Sequence, residues 1–409
     1  MLLLYNFGIF LYKLLVTAAS GFNKKARLFI SGRKEILTTI EQQIDSSKKH
    51  IWFHFASLGE FEQGRPVLEE IKQKHPEKRI IVTFFSPSGY EVRKNYALAE
   101  GVFYLPLDTR KNARRFIQLI NPEVAVFTKY EFWYHYFKTL HEQRIPLLLI
   151  SGIFRPEQAF FKWYGGFYRN ILSYVSHFFV QNTESLELLK GLGINTVSLS
   201  GDTRFDRVSA NAKSPDNLPL IEKFCNGSPV FIAGSTWPQD EVLLKKVTEL
   251  LPLFPKWKLI IAPHEIDAAH IASLLHLFPD ALRYTELVAG QTSADRQLLL
   301  IDNIGMLSSI YQYAEIAYIG GGFGTGIHNT LEAAAFGLPV IFGPKYEKFQ
   351  EAKDLLALGA ARSISTAEEL SAAFEQLQKD NNAGIKAKKY VADKTGSTTQ
   401  IVKFLEQYN

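Results

Sequence analysis

A single cysteine, Cys225, stands in 409 residues. No disulfide can close within the chain, and a reducing compartment suits it. No Cys/His cluster has the spacing of a zinc site. No D-x-D triplet occurs, so a carboxylate-held metal for a nucleotide sugar has no support. The G-x-G-x-x-G spacing of dinucleotide sites is missing too; the glycines at Gly322, Gly324 and Gly326 run G-x-G-x-G late in the chain. There is no internal repeat and no low-complexity tract. What remains is 46% hydrophobic and 21% charged, a globular composition with a full core. The length fits two domains of ordinary size.

The net charge of +5 is unevenly spread. Residues 1–200 hold 26 Lys/Arg against 17 Asp/Glu, and residues 201–409 hold 20 against 24. The front half therefore favours an acidic partner or surface, or else carries uneven surface charge without further meaning. The first 22 residues, MLLLYNFGIFLYKLLVTAASGF, are apolar over about the span of a bilayer, with Asn6 and Lys13 as interruptions. Lys24, Lys25, Arg27, Arg33 and Lys34 follow the apolar run, whereas a signal peptide carries its positive charge ahead of it. Basic residues flank the cytoplasmic side of membrane segments, so residues 1–22 read as an anchor, spanning or interfacial, with the body in the cytoplasm. A buried first helix is the competing reading.

Strand-length apolar runs then alternate with helical patterns. The first series is Ile51–Phe55, Ile80–Phe85, Val124–Phe127, Pro146–Ile150 and Phe178–Val180, with helices such as Gly64–Lys74 and Ala113–Ile120 between. The second is Val230–Ala233, Lys258–Ala262, Leu298–Ile301, Ile316–Ile319 and Val340–Phe342. Alternation of this kind predicts parallel sheets covered by helices. The polar stretch Ser209–Ser228 reads as an irregular connection, giving domains at 23–208 and 209–409 after the anchor, with the last helix free to pack back on the first domain. Ligands of such sheets sit at the carboxyl ends of strands, so the expected site is a central cleft between two Rossmann-like domains.

Several segments could do chemistry there. His54-Phe55-Ala56-Ser57-Leu58-Gly59-Glu60 ends the first strand, and Glu60 reads either as a general base facing the cleft or as an acidic residue in the first turn of the next helix. Ala233-Gly234-Ser235-Thr236 reads as a strand end and a turn whose N–H groups suit a phosphate, or as simple helix capping. Pro263 stops the next strand, and His264 points into the cleft as a donor or is structural. Five glycines, Gly320, Gly321, Gly322, Gly324 and Gly326, leave a bare loop before a helix opening near Asn329. Glu332 shares a face with Asn329 and has oxygens to accept from ribose hydroxyls. Aromatics crowd Lys129–Tyr134 and Phe160–Phe179, as core or as a surface for lipid.

These ordered motifs resemble those of the 3-deoxy-D-manno-octulosonic acid (Kdo) transferases of Gram-negative bacteria. Ala56-Ser57-Leu58-Gly59-Glu60 looks like the family's A-S-x-G-E, whose Glu is the proposed base. Tyr130-Glu131-Phe132-Trp133 is similar to its T-E-L-W, whose Glu has a transition-state role. Gly201-Asp202-Thr203-Arg204-Phe205-Asp206 looks like G-x-x-K-F-D, with Arg204 at the family's Lys. Ala233-Gly234-Ser235-Thr236 resembles A-G-S-T, and Asn329-Thr330-Leu331-Glu332 resembles N-x-L-E, a CMP contact. The resemblance implies a GT-B fold with an N-terminal anchoring helix, an acceptor-binding domain and a CMP-sugar-binding domain. It implies an inverting transfer of Kdo from CMP-Kdo to the phosphorylated lipid A precursor, at the cytoplasmic side of the inner membrane. No metal or other cofactor and no nucleic acid is expected. Departures fall at Pro263-His264-Glu265, where the family has P-R-H, and at Gly305-Met306-Leu307, where it has G-E-L; the charged donor contacts there are lost, and His264 could replace one. A GT-B-shaped nucleotide-sugar epimerase is the runner-up, disfavoured by residues 1–22.

Overall fold

The structure, a computed structural model, describes residues 1–250, 256–291 and 296–408. The chain forms two compact units, Met1–Asp206 with Thr395–Asn409, and Arg207–Lys394. Each is built on its own seven-stranded parallel sheet.

In unit 1 the strands are β1 (His50–Phe55), β2 (Ile80–Phe84), β3 (Gly101–Tyr104), β4 (Pro122–Thr128), β5 (Leu147–Gly152), β6 (His177–Val180) and β7 (Val197–Leu199), in the order β3-β2-β1-β4-β5-β6-β7. Every residue of β1 is buried, as a strand covered on both faces requires. Its alternate side chains go to opposite cores: Trp52 joins Phe116, Phe127 and Tyr136, while Ile51, Phe53 and Phe55 join Phe61, Val67 and Leu68. Ile401, Val402 and Leu405 of the last helix, Ser397–Leu405, complete the second core. Asp206 holds that helix in place, accepting from Gly396 N at 2.5 Å and from Thr398 N at 2.8 Å and Oγ1 at 2.9 Å.

Unit 2 contains β8 (Val230–Thr236), β9 (Lys258–Pro263), β10 (Leu282–Arg283), β11 (Leu298–Leu300), β12 (Ile316–Ile319), β13 (Val340–Phe342) and β14 (Ala361–Ser363), in the order β10-β11-β9-β8-β12-β13-β14. Both sheets change direction of growth beside their first strand, between β1 and β4 and between β8 and β12. Such switch points open a crevice at the strands' carboxyl ends.

Four helices begin the chain or follow β1: α1 (Leu2–Ala19), α2 (Lys24–Ser31), α3 (Ile36–Gln43) and α4 (Leu58–Lys74). None of α1 is buried, which excludes the buried first helix. Leu3, Phe7, Phe10 and Leu14 recur at helical spacing and lie 49–84% exposed. The opposite side is docked on unit 1. Tyr5 donates to Asp108, Asn6 meets His135 Nε2 at 2.7 Å, and the Tyr12 ring lies 5.7 Å from Phe29 and 6.1 Å from Phe85. By length and apolarity α1 could cross a membrane.

The stretch 209–228, expected to be irregular, is mostly helical: Thr203–Lys213 and Pro219–Cys225. Pro219 starts the second helix with its φ already set, and Asn226 ends it in the left-handed conformation at φ 47°. The aromatic stretch divides between both readings. Phe160 packs in the core, whereas Trp163 is 91% exposed.

Candidate active site

The sequence-derived residues fall into two groups, each beside its own sheet's switch point. Glu60, Glu131 and Arg204 belong to unit 1, and the remainder to unit 2.

Glu60 sits in the first turn of α4, immediately beyond β1, so both readings of it describe the same place. The hydroxyl of Ser57, the N-cap residue, donates to the Glu60 carboxylate rather than capping the helix. Tyr130 and Arg155, beyond β4 and β5, are within electrostatic reach. Burial pushes the Tyr130 phenol upward, Arg155 opposes that, and Glu60 adds a smaller push.

Glu131 lies past Lys129, whose φ of 60° turns the chain out of β4. Its Oε2 accepts from Trp133 Nε1 at 2.8 Å and faces Nε2 of the wholly buried His54 at 3.4 Å. Burial lowers the His54 imidazole, against the pull of Glu131, so the ring is neutral. Arg204 is engaged by the buried Asp202, two residues before it. Asp202 accepts from the Arg204 amide at 2.9 Å and from the guanidinium at 2.8 Å.

In unit 2 the A-G-S-T segment is part of β8 rather than a turn after it. The strand continues to Thr236, with a register shift between Gly234 and Thr236 and with Ser235 at φ 54°. The shift, not a strand end, is what breaks the ladder here. Thr236 Oγ1 donates to Glu241 Oε1 at 3.0 Å. Gly234 is required by close packing, because a Cβ there would lie 2.4 Å from the Tyr311 hydroxyl and 3.1 Å from Leu307. Tyr311 in turn feels Glu332: burial foremost, then the Glu332 charge, pushes its phenol well up. Gly234 and Glu332 thus both lie near Tyr311.

The glycine loop is less bare than its sequence suggests. Asp240, fully buried in the helix Pro238–Leu250, accepts from Gly321 N and Trp237 N at 2.9 Å each and from the Tyr318 hydroxyl at 2.7 Å. A carboxylate of the chain itself therefore occupies the Gly321 N–H. Gly320 passes against β8, where a Cβ would meet Ser235 O at 2.2 Å.

Beyond β12, the helix Leu331–Phe336 begins two residues later than expected, with Thr330 as its N-cap. Asn329 accepts from Leu331 N at 3.1 Å and donates to Glu332 Oε1 at 3.1 Å, so these two side chains do share a face. Thr330 is fully buried, and its hydroxyl has no hydrogen-bond partner among the described residues. Pro263 is the last residue of β9, and His264 follows, exposed. Its ring stacks on Trp237 at 4.8 Å and on His328 at 4.4 Å. Trp237 Nε1 donates to His328 Nε2 at 2.9 Å, which fixes His328 as the neutral tautomer with its proton on Nδ1. Gly305, at φ 98°, leads into Met306, whose sulfur accepts from Asn303 Nδ2 at 2.9 Å.

Sequence reasoning missed His54, Trp237, Asp240, Tyr311 and His328 as parts of these groups. Trp237 and His328 adjoin recognised motifs, and His54 begins one, but only the fold shows their partners. Among the described residues one acidic group, Glu265, Asp267 and His270, has atoms close enough for a metal ion. Asp267 is committed to capping the helix Ala268–Leu277, and His270 meets Glu241 at 2.9 Å.

Residues 31–207 match a family model described as 3-deoxy-D-manno-octulosonic-acid transferase (kdotransferase). The chain is 28% identical over 347 residues to the 3-deoxy-D-manno-octulosonic acid transferase of Aquifex aeolicus, covering 82% of this chain and 88% of that protein. It is 29% identical over 343 residues to the enzyme of the same name from Haemophilus influenzae, covering 80% and 78%. Among solved structures, a putative UDP-N-acetylglucosamine 2-epimerase from Listeria monocytogenes matches 88% of this chain and 96% of its own, with a TM-score of 0.61 and 12% identity. That similarity is one of fold, with two Rossmann-like domains of the GT-B type, and does not extend to epimerase chemistry.

Proposed function

We propose that this chain, a glycosyltransferase related to the 3-deoxy-D-manno-octulosonic acid transferases, moves Kdo from CMP-Kdo to a sugar hydroxyl of a phosphorylated lipid A precursor, with inversion at the anomeric carbon. The observation that carries this reading is the ordered series of motifs, with the family match spanning those that hold Glu60, Glu131 and Arg204.

The chemistry divides between the units. In unit 1, Glu60 takes the proton of the acceptor hydroxyl as that oxygen bonds to the anomeric carbon, while the bond to the CMP phosphate breaks and its electron pair leaves with CMP. Glu131 orients the acceptor or favours the cationic sugar in the transition state. In unit 2, Glu332 and Asn329 hold the ribose, and the unpartnered Thr330 hydroxyl beside them supports a polar ligand there. The Gly234–Thr236 backbone, with Pro263 and the Gly305–Leu307 turn, lines the rest of the donor site. His264, held in the stack with Trp237 and His328, takes the place of the missing Arg as the contact to an anionic donor group.

The acceptor and the membrane meet unit 1. A cavity of about 590 Å³ beside α1 is lined by Lys13, Arg27 and Lys34 together with Ile30 and Leu37, a mixture suited to a phosphorylated lipid headgroup. Because Tyr5, Asn6 and Tyr12 tie one side of α1 to the protein body, the helix lies along the membrane surface with its Leu3–Phe7–Phe10–Leu14 face in lipid. The body is on the cytoplasmic side of the inner membrane.

Product mass analysis after incubation with CMP-Kdo and tetra-acylated lipid precursor tests the reading. Addition of Kdo is expected, and an unchanged acceptor refutes it. Loss of a general base costs ~10²–10⁴-fold. Glu60→Ala should therefore lose turnover by that factor while binding CMP normally. A near-normal rate would remove Glu60 from the base role.

A further inference from the structure

Behind Glu131 runs a buried line of polar groups for which the reaction scheme has no use. Trp52, Thr83 and His54 are each fully buried, on the adjacent strands β1 and β2. Trp52 Nε1 lies 2.8 Å from Thr83 Oγ1, Thr83 Oγ1 lies 2.9 Å from His54 Nδ1, and His54 Nε2 lies 3.4 Å from Glu131 Oε2. A polar chain inside an otherwise apolar sheet costs desolvation, and its members must all be satisfied.

The direction of the hydrogen bonds follows from the two end groups, which have no choice. An indole N–H only donates, so Thr83 Oγ1 accepts from Trp52. The Glu131 carboxylate only accepts, so the single proton of the neutral His54 ring belongs on Nε2, which faces it. The Thr83 proton then goes to the bare Nδ1 at 2.9 Å rather than to the Phe53 carbonyl at 3.4 Å. His54 Nδ1 is thereby an acceptor. The neutral ring carries its proton on Nε2, the nitrogen that faces Glu131. Each member thus donates toward the carboxylate, ending at the oxygen that Trp133 also holds.

We propose that His54 is a positioning residue for the transfer reaction: through the Trp52–Thr83–His54 line it presents a fixed Nε2–H to Glu131 and sets the direction of that carboxylate. This rests on the reading of Glu131 as a participant in transfer. The strand supplies the rigidity, because His54 and Trp52, two residues apart, share one face of β1 and Thr83 is paired in register with His54 on β2. The loop bearing Glu131 takes its orientation from that fixed point and from Trp133.

Steady-state kinetics on His54→Phe, His54→Gln, Glu131→Gln and the His54→Phe/Glu131→Gln double variant test this. His54→Phe fills the space without a donor and should lower kcat roughly tenfold, the worth of one buried hydrogen bond, with KM for CMP-Kdo unchanged. His54→Gln keeps an N–H near the Nε2 position and should recover most of the loss. On the Glu131→Gln background, His54→Phe should cost nothing further, because its effect passes through Glu131. A full additional loss in the double variant would make His54 merely structural and overturn the proposal. A normal kcat for His54→Phe beside a crippled Glu131→Gln would also overturn it while leaving the Glu131 reading intact. A fully active Glu131→Gln would instead remove the Glu131 reading, and this proposal with it. Nitrogen NMR of the labelled histidines gives a check independent of turnover. The His54 signal should show Nε2–H in the native protein, and a ring with its proton on Nδ1 would refute the assigned direction.

Discussion

Replacing Asp240 probes how the glycine loop is held. Its two oxygens take three hydrogen bonds, from Gly321 N and Trp237 N on Oδ2 and from Tyr318 on Oδ1, and the residue is wholly buried. Asp240→Ala orphans two buried donors, Gly321 N and the Tyr318 hydroxyl, and the part-buried Trp237 N at once. Each unsatisfied group costs about 1–3 kcal/mol, and breaking a buried charged cluster costs about 3–5 kcal/mol in all. Asp240→Asn behaves differently. The amide oxygen can face the two main-chain N–H groups, and the amide N–H₂ can donate to Tyr318, whose hydroxyl rotates to accept. That variant should lose about 1 kcal/mol or less. Denaturant unfolding followed in unit 2 measures both, and calorimetry with CMP reports the site. The alanine variant should bind CMP at least about tenfold more weakly, since Trp237 and Gly321 both lose their anchor. An alanine variant within 1 kcal/mol of the native protein would refute the argument that Asp240 organises the loop. Equal damage from asparagine and alanine would show that charge, not hydrogen-bond geometry, is what matters.

Two further outcomes follow from single residues in unit 1. Asp206→Ala removes three hydrogen bonds at the start of the helix Ser397–Leu405, and should cost about 1–2 kcal/mol and speed amide exchange in that helix; unchanged exchange would count against the tether. Burial raises the Asp108 carboxyl to about 6 even though Tyr5, His135 N and Tyr136 N all donate to it. A raised carboxyl keeps its proton in the folded state while the unfolded chain loses it, so its contribution to stability falls as pH rises from about 4 to about 6, by about 3 kcal/mol. Asp108→Asn should therefore gain stability relative to the native protein between pH 4 and pH 7 in urea titrations, and parallel curves would refute the shift.

Strands buried on both faces announced themselves as apolar runs. Every run in β1, β2, β4 to β6, β8, β9 and β11 to β13 was legible for that reason. The four that escaped, β3, β7, β10 and β14, are the edges of the two sheets. Edge strands are short and half-solvated: Ala361–Ser363 carries no run to find, and the apolar Val102–Tyr104 of β3 is only three residues long. The same logic divides the site. The place of Glu60 in a helix's first turn was legible because its motif directly follows β1, and the meeting of Asn329 with Glu332 because of their spacing of three. Asp240 was missed, because its partners Tyr318 and Gly321 lie about eighty positions away in sequence. The segment Ser209–Ser228 misled through composition: Pro219 and Asn226 start and stop a helix rather than prevent one.

The geometry of α1 bears on why a soluble-looking fold should keep an apolar helix at its front. Tyr12, on the docked side of α1, packs on Phe85 at 6.1 Å; Phe85 packs on Trp133 at 4.7 Å; and Trp133 Nε1 donates to Glu131 at 2.8 Å. Three contacts therefore separate α1 from a carboxylate of the candidate site. A helix crossing the bilayer upright would have to leave this surface, giving up the Tyr5–Asp108 and Asn6–His135 hydrogen bonds and exposing Phe85. Lying flat on a membrane surface, it would keep them and leave its apolar face free for lipid. An acceptor whose acyl chains stay in the membrane needs its sugar delivered no farther than a headgroup's reach from that surface. If the acceptor is a membrane lipid as proposed, the line Tyr12–Phe85–Trp133 from α1 to Glu131 would supply that short distance, and α1 would be a wall of the acceptor's approach.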